Sequence, residues 1–247
     1  MWPVLFKVGP LDVYSWGFML SLAVLAGTWL AYRQAPKIGI KADLVIDLAI
    51  WLVVGGVAGA RLFYVFVYEP GTYLRQPYLV FALWQGGLVY YGALIGGFIA
   101  GVWFVWKKGL PFWPLADLVA PPLALGYGLV RIGCFLNGCC YGKPTNSFLG
   151  IVFPHLDHLA RHPTQIYSSL LGFTLFLVLL VMQRKKSFDG QIFLLFLILY
   201  GVGRTAIESL RENLTVFGPV TVSQLVSVVV IIIAGIFYHR RKQGYPL

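Results

Sequence analysis

Charge is what this 247-residue sequence has least of. Only 11% of its residues are charged, and nine are acidic. An average soluble domain carries roughly a quarter charged residues. With 59% hydrophobic residues and a mean hydropathy of +0.78, a soluble domain of this size could not hide its apolar surface. That excludes an ordinary soluble enzyme, a disordered chain and a nucleic-acid-binding domain, so no nucleic-acid partner is expected. The net charge of +10 is read differently. In a membrane protein, Lys and Arg orient the chain and meet anionic headgroups. Cysteine is also scarce. The three present, Cys134, Cys139 and Cys140, are too few and too close to form a disulfide framework. No internal repeat and no linker divides the chain. The N-terminus lacks a cleavable-signal pattern, since Lys7, Gly9-Pro10 and Asp12 precede the first apolar run.

What is abundant is long apolar sequence. A spanning helix needs about 20 apolar residues, and seven stretches qualify: Val13–Tyr32, Leu44–Tyr68, Leu88–Trp106, Pro114–Phe135, Gln165–Met182, Gln191–Glu208 and Thr221–Tyr238. The expected fold is all-α: a polytopic integral membrane protein, one transmembrane domain over 1–247, with residues 136–164 as a small external cap. Gly55 and Gly59, Gly92 and Gly96, and Gly97 and Gly101 sit at small-x-x-x-small spacing, which lets helices approach closely in lipid. Basic residues are unevenly divided between the two sets of connections. Arg33, Lys37, Lys41, Lys107, Lys108, Arg184, Lys185, Lys186, Arg240, Arg241 and Lys242 follow the odd-numbered spans. Lys7, Arg75, Lys143, Arg161 and Arg211 lie on the other side. Eleven against five puts the N-terminus outside and the C-terminus in the cytoplasm.

With that orientation, the polar residues of the spans gather at one outward depth. Arg61, Tyr90, Tyr91, Arg131, His162, Thr164, Gln165, Tyr167, Arg204, Glu208, Ser223 and Gln224 all fall there. Ionisable residues in a span are costly and therefore point to function. Arg61, Arg131 and Arg204 are each flanked by glycine or other small residues. Arg204, Glu208 and Arg211 share one helix face, and one Glu cannot neutralise two Arg. Guanidinium forks at this depth suit a phosphate, and in a membrane the abundant phosphate is a phospholipid headgroup. A transporter for an anionic solute could be lined by the same arginines, but no matching polar path leads to the other side. Asp43, Asp47 and Asp117 lie there and read as interfacial residues.

The richest stretch is Arg131-Ile-Gly-Cys-Phe-Leu-Asn-Gly-Cys-Cys-Tyr-Gly-Lys-Pro-Thr145. Asn137 can bond a headgroup or cap a broken helix, while Gly138 and Gly142 allow close backbone approach. The cysteines read as small buried hydrophobes or as a redox pair. A zinc site is disfavoured, since no second C-x-x-C pair accompanies the adjacent Cys139 and Cys140. No metal, nucleotide or other cofactor is expected.

Together these blocks resemble the prolipoprotein diacylglyceryl transferase family. The signature G-R-x-G-N-F-x-N-x-E-x-x-G is matched by Val130 to Gly142, with Val130, Cys134 and Cys139 in place of Gly, Asn and Glu. H-P-[ST]-Q-L-Y-E is matched by His162 to Ser168, with Ser168 in place of Glu. Y-G-x-x-R-x-x-x-E-x-x-R is matched by Tyr200 to Arg211, G-x-R-L-x-Y by Gly59 to Tyr64, and an S-x-x-Q-like element by Val222-Ser223-Gln224. Tyr91 stands where the family has a proton-transferring His.

The resemblance implies a bacterial inner-membrane enzyme. It would move the diacylglyceryl group of phosphatidylglycerol to the lipobox cysteine of a preprolipoprotein, releasing glycerol 1-phosphate. A phospholipid-using transferase with another acceptor is the alternative. Arg131, Arg204, His162 and Tyr91 become the catalytic candidates. Arg61, Asn137, Gly142, Gln165, Tyr167, Glu208, Arg211 and Gln224 become the substrate-binding ones. Of the possible bases, His162 is better suited by its ordinary pKa than Tyr91, although beside Pro163 it also reads as a cap.

The charge asymmetry predicts that a reporter fused after Leu247 reads cytoplasmic and one inserted near Asn146 reads external. The reverse pattern at both points would invert the depth of every residue above.

Overall fold

The computed structural model describes residues 1–9, 11–212, 215–217 and 220–244. The expected all-α membrane fold is what forms, in eight helices: α1 (Ser15–Gln34), α2 (Asp43–Val67), α3 (Pro70–Arg75), α4 (Tyr90–Lys107), α5 (Phe112–Asn137), α6 (Thr164–Gln183), α7 (Gln191–Glu208) and α8 (Val222–Gln243). All but α3 and α4 are long and apolar enough to cross a membrane. The third expected span corresponds to α4. Its 18 residues include Tyr90, Tyr91, four glycines and Lys107, which dilute its hydropathy. Three short antiparallel hairpins complete the described chain. Val4–Val8 pairs with Leu11–Tyr14, Ile151–Val152 with Ala160–Arg161, and Thr215–Phe217 with Val220–Thr221. The middle hairpin lies in the segment expected to form the cap.

The chain divides into two compact units, residues 32–112 and residues 1–31 with 113–247. In the first, α2 and α4 pack through glycine. A Cβ at Gly59 would strike the Gly92 carbonyl and come 2.7 Å from the Gly96 Cα, and one at Gly55 would meet Ala100 and Gly96. The small-residue spacing is therefore packing, as expected from the sequence.

Arg61 departs from its expected role. It is 3% exposed and spends its guanidinium on backbone carbonyls. Nε donates to Val80 (3.0 Å), Nη2 to Leu79 (2.7 Å) and Ala82 (3.2 Å), and Nη1 to Gly86 and Gly87 (3.5 Å). The Arg61 side chain also lies over the Tyr73 ring at 5.3 Å. A span residue can hold an irregular loop at membrane depth only by satisfying that loop's backbone. Arg61 therefore serves as a staple for residues 79–87 and is corrected from a headgroup ligand to a structural residue.

In the larger unit α5 is the most enclosed span, with 44% of it buried against 11% of α8. The exposed Val, Ile and Leu side chains of α8 suit lipid contact. Pro121 and Pro122 interrupt the hydrogen-bond ladder of α5, as a buried spanning helix can tolerate. Ala120 and Ala124 of α5 pack against Leu175 and Leu179 of α6 and Ile192 and Phe196 of α7. Closer to the other end, Ser169 Oγ donates to the Gly128 carbonyl at 2.9 Å. A Cβ on Gly172 would come 2.6 Å from the Gly128 nitrogen.

Asp117, read from sequence as interfacial, is 2% exposed. Its carboxylate accepts from the Gly190 N–H at 2.7 Å and the Phe193 N–H at 2.9 Å, so it caps the start of α7. Lys186 Nζ lies 3.2 Å from Asp117 and 2.8 Å from Asp189. Burial opposes the Lys186 charge, but these two carboxylates outweigh it and lift the ammonium above the ordinary lysine range. Gly190 has φ +96°, and a Cβ there would sit 2.5 Å from the Trp113 ring, so only glycine serves.

Removing one partner of a buried, hydrogen-bonded charge costs about 3 kcal/mol or more. Asp117→Ala should therefore lower the thermal midpoint of the purified protein by several degrees. An unchanged midpoint would mean that α7 does not depend on this cap.

Candidate active site

Three sequence blocks meet in the larger unit, and backbone chemistry joins them. α5 ends in a reversal. Gly138 is left-handed (φ +74°) and the Cys139 N–H returns to the Cys134 carbonyl at 3.1 Å, the pattern of a glycine C-cap. Cys140 follows at φ +66°, the only described non-glycine residue with positive φ. The start of α6 then clamps this turn. Gln165 Nε2 donates to the Cys139 carbonyl at 2.6 Å and Thr164 Oγ1 to the Cys140 carbonyl at 2.8 Å. Next, the Gly142 N–H bonds the His162 carbonyl (2.9 Å), the His162 N–H bonds the Lys143 carbonyl (3.0 Å), and the Lys143 N–H bonds the Leu210 carbonyl (2.8 Å). The segment after α7 is thereby tied to the other two blocks. Gly142 is closed in by all three. A Cβ there would come 2.6 Å from the Leu210 oxygen, 2.8 Å from Thr164 and 2.9 Å from His162. Its role is close packing; it offers no side chain to a ligand.

Around this junction the arginines differ in how far they are satisfied. Arg131 lies over the Tyr127 ring at 5.1 Å, and no hydrogen bond of its guanidinium is found among the described residues. Tyr127 in turn meets Tyr200 edge-on at 5.1 Å. Arg204 Nη2 pairs with Glu208 at 2.7 Å and Arg204 Nε donates to Ser223 at 3.2 Å. Glu208 is 2% exposed and also accepts from Thr221 at 3.3 Å. The buried atoms Arg204 Nη1, Arg211 Nε, Tyr127 Oη, Thr205 Oγ1 and Gln165 Oε1 have no hydrogen-bond partner among the described residues. Buried polar atoms are nearly always satisfied in folded proteins. Orphaned guanidinium, hydroxyl and amide atoms on α5, α6, α7 and the residues just after α7 therefore mark the candidate site in this part of the molecule.

The other expected site residues have varied positions. His162 Nδ1 lies 3.4 Å from the Tyr167 hydroxyl, so these two residues are engaged with each other. Asn137 is exposed at the end of α5. Gln224 accepts from the Thr221 N–H at 3.0 Å and closes a capping box at the start of α8. That role accounts for its side-chain oxygen. Tyr91 is 54% exposed in the first turn of α4, within the smaller unit. Tyr127 and Thr205 are not among the residues singled out from sequence, and Tyr200 is there only as the first residue of a matched block. Both tyrosines stand four residues before an arginine, Tyr127 before Arg131 and Tyr200 before Arg204. That repeated i, i+4 spacing was the available signal.

Residues 3–240 match the family described as prolipoprotein diacylglyceryl transferase. The chain belongs to that family. Among its relatives, the phosphatidylglycerol–prolipoprotein diacylglyceryl transferase of Clostridium tetani is 40% identical, over 96% of both chains. Proteins of the same name from Trichormus variabilis and Bacillus mycoides are 35% and 36% identical. They cover 99% and 96% of this chain, and each match spans 92% of the relative. Membership and the apolar helices together make this a multi-pass membrane protein of a bacterial enzyme family.

Beside the site, Arg161 holds the hairpin down. It bonds Asp157 (2.7 Å), Glu212 (3.1 Å) and the Gly142 carbonyl (3.4 Å). The hydrogen bond from Arg161 holds the Asp157 carboxyl below its ordinary value of 3.8. A depressed carboxylate contributes stability above the unfolded pKa and loses it as pH falls through the folded one. Proteolysis within residues 144–161 should therefore be flat from about pH 7 to 5 and rise below about pH 4. In Asp157→Asn the acid step should vanish. An identical step in that variant would assign the acid sensitivity to another group.

Proposed function

We propose that this protein transfers the diacylglyceryl group of phosphatidylglycerol to the lipobox cysteine thiol of preprolipoproteins, releasing glycerol 1-phosphate. The observation that carries this is the set of unsatisfied, buried guanidinium nitrogens on Arg204 and Arg211, together with the orphaned hydroxyl and amide atoms of Tyr127, Thr205 and Gln165. A headgroup that joins a phosphate to a polyol offers acceptors for the first and hydrogen bonds for the second. The relatives named for this reaction, matched over nearly the whole chain, support it.

The chemistry follows from the charges. As the acceptor sulfur bonds to the glyceryl carbon, the carbon–oxygen bond to phosphate breaks and the electron pair stays on the phosphate oxygen. Arg131, whose guanidinium lies over the Tyr127 ring, stabilises that growing charge. Arg204 is oriented by Glu208 and Ser223 with one nitrogen left to give, and Arg211 supplies a further cation. Preorganised donors aimed at developing charge usually lower the barrier more than any other feature of such a site. Gln165 and Thr164 hold the turn that carries Cys139 and Cys140, and the free Gln165 oxygen can accept from the glycerol hydroxyls. His162 and Tyr167, in contact with each other, are a titratable pair in the clamped segment. The basic-residue count sets the N-terminus and the 136–164 segment outside, where secreted preprolipoproteins arrive, and the C-terminus in the cytoplasm.

Arg131→Lys and Arg204→Lys should each lower transfer about a hundredfold or more, because a point charge replaces a planar fork. The exposed Arg75→Lys should leave the rate unchanged. The measurement is the thioether-linked diacylglyceryl mass on a lipobox peptide incubated with phosphatidylglycerol vesicles. Near-normal rates in both Arg→Lys variants would overturn the phosphate-site reading.

A further inference from the structure

The three cysteines are unused by the mechanism above, and the structure brings them together. Their sulfurs all lie within 4.8 Å of one another, with Cys139 Sγ 3.5 Å from Cys140 Sγ. Along the chain, spacing counts against a metal site, since no C-x-x-C pair is present. The reversal at the end of α5 removes that objection. It carries Cys139 and Cys140 back over the last helical turn, where Cys134 is 6% exposed.

We propose that Cys134, Cys139 and Cys140 form a site for a thiophilic d10 cation of the zinc class, with its fourth position open to the acceptor thiol.

Geometry supports the first half. A zinc–sulfur bond of about 2.3 Å places tetrahedral ligands about 3.8 Å apart, so no sulfur–sulfur separation need change by more than about 1 Å. The scaffold is already fixed, because Gln165 and Thr164 hold the carbonyls of Cys139 and Cys140. Charge supports it as well. Three thiolates and a dication carry net −1, and Arg131 and Arg211 lie within electrostatic range of Cys140 to offset it. Among the described residues no fourth Cys, His, Asp or Glu joins the group. Three protein ligands with one vacancy is the arrangement of catalytic rather than structural zinc.

The second half rests on the transferase reading. A thiol that coordinates such a cation loses its proton. The acceptor R–SH would bind the metal and release H⁺ to water. The bound sulfur then forms the S–C bond as the C–O(phosphate) bond breaks, and the electron pair leaves on phosphate. The thioether, a poorer ligand, dissociates. No oxidant or reductant is consumed. Activation at the metal would also remove the need for Tyr91 or His162 as base, and would set the acceptor sulfur beside Arg131, at the leaving phosphate.

The test uses the full-length protein purified in detergent with zinc present, then desalted. Elemental analysis should find about one zinc per chain, the stoichiometry of a single mononuclear site. Cys134→Ser should fall at least tenfold below that. Because the variant could fold poorly, the wild type is also alkylated with a maleimide with and without zinc. Zinc should protect all three thiols. Cobalt exchanged into the site should give thiolate charge-transfer absorption that shifts when a lipobox peptide is added and not with its Cys→Ser counterpart. Absence of stoichiometric metal, unprotected thiols, or a disulfide among the three would overturn the site. Such a result in protein that still transfers lipid would leave the transferase reading intact. A cobalt spectrum indifferent to the peptide would overturn the role of the fourth position. Metal-loaded protein with no transfer at all would instead count against the transferase reading and, with it, that role.

Discussion

A guanidinium buried among packed spans must be met by acceptors or by a ligand, because its charge costs too much to leave bare in a medium of low dielectric. The arginines of this protein sort themselves on that constraint. Arg61 is satisfied by backbone carbonyls between Leu79 and Gly87. Arg161 is satisfied by two carboxylates and the Gly142 carbonyl. Arg131, Arg204 and Arg211 are satisfied in part or not at all among the described residues. The same residue type thus serves as staple, clamp and ligand group. What separates the roles is the count of remaining donors.

Keeping unsatisfied cations in place requires a rigid surround. Here the backbone supplies it. Three non-adjacent segments, the end of α5, the start of α6 and the end of α7, are tied by main-chain bonds at Gly142, His162, Lys143 and Leu210. At the opposite end of the same helices, Asp117 caps α7 and Lys186 joins it, so α5 and α7 are held together there as well. Tyr127 against Tyr200 fills the space between. A guanidinium resting on an aromatic face gains roughly 0.5–2 kcal/mol and loses little freedom to a ligand, which suits a group that must meet charge as it develops.

The chain has cysteines at 139 and 140, and that decides what the turn after α5 can do. Carboxylates there would add charge opposite to the arginines. Thiols keep the pocket's positive field and place soft donors beside it.

Much of this protein was determined by the sequence alone. Apolar runs near 20 residues, small residues at i, i+4 and the uneven basic count follow from chain-local physics, since lipid imposes length, packing and charge rules on each segment independently. Which arginine is free was decided only by the tertiary structure. Nothing local to Arg61 says that residues 79–87 will return to consume its donors, and nothing near Asp117 says that α7 will begin on it. The cysteines are the clearest case. Their spacing argues against a metal, yet a left-handed glycine at 138 folds the chain back until three sulfurs share one place. Spacing along a chain measures distance only while the helix continues, and here it stops at Asn137.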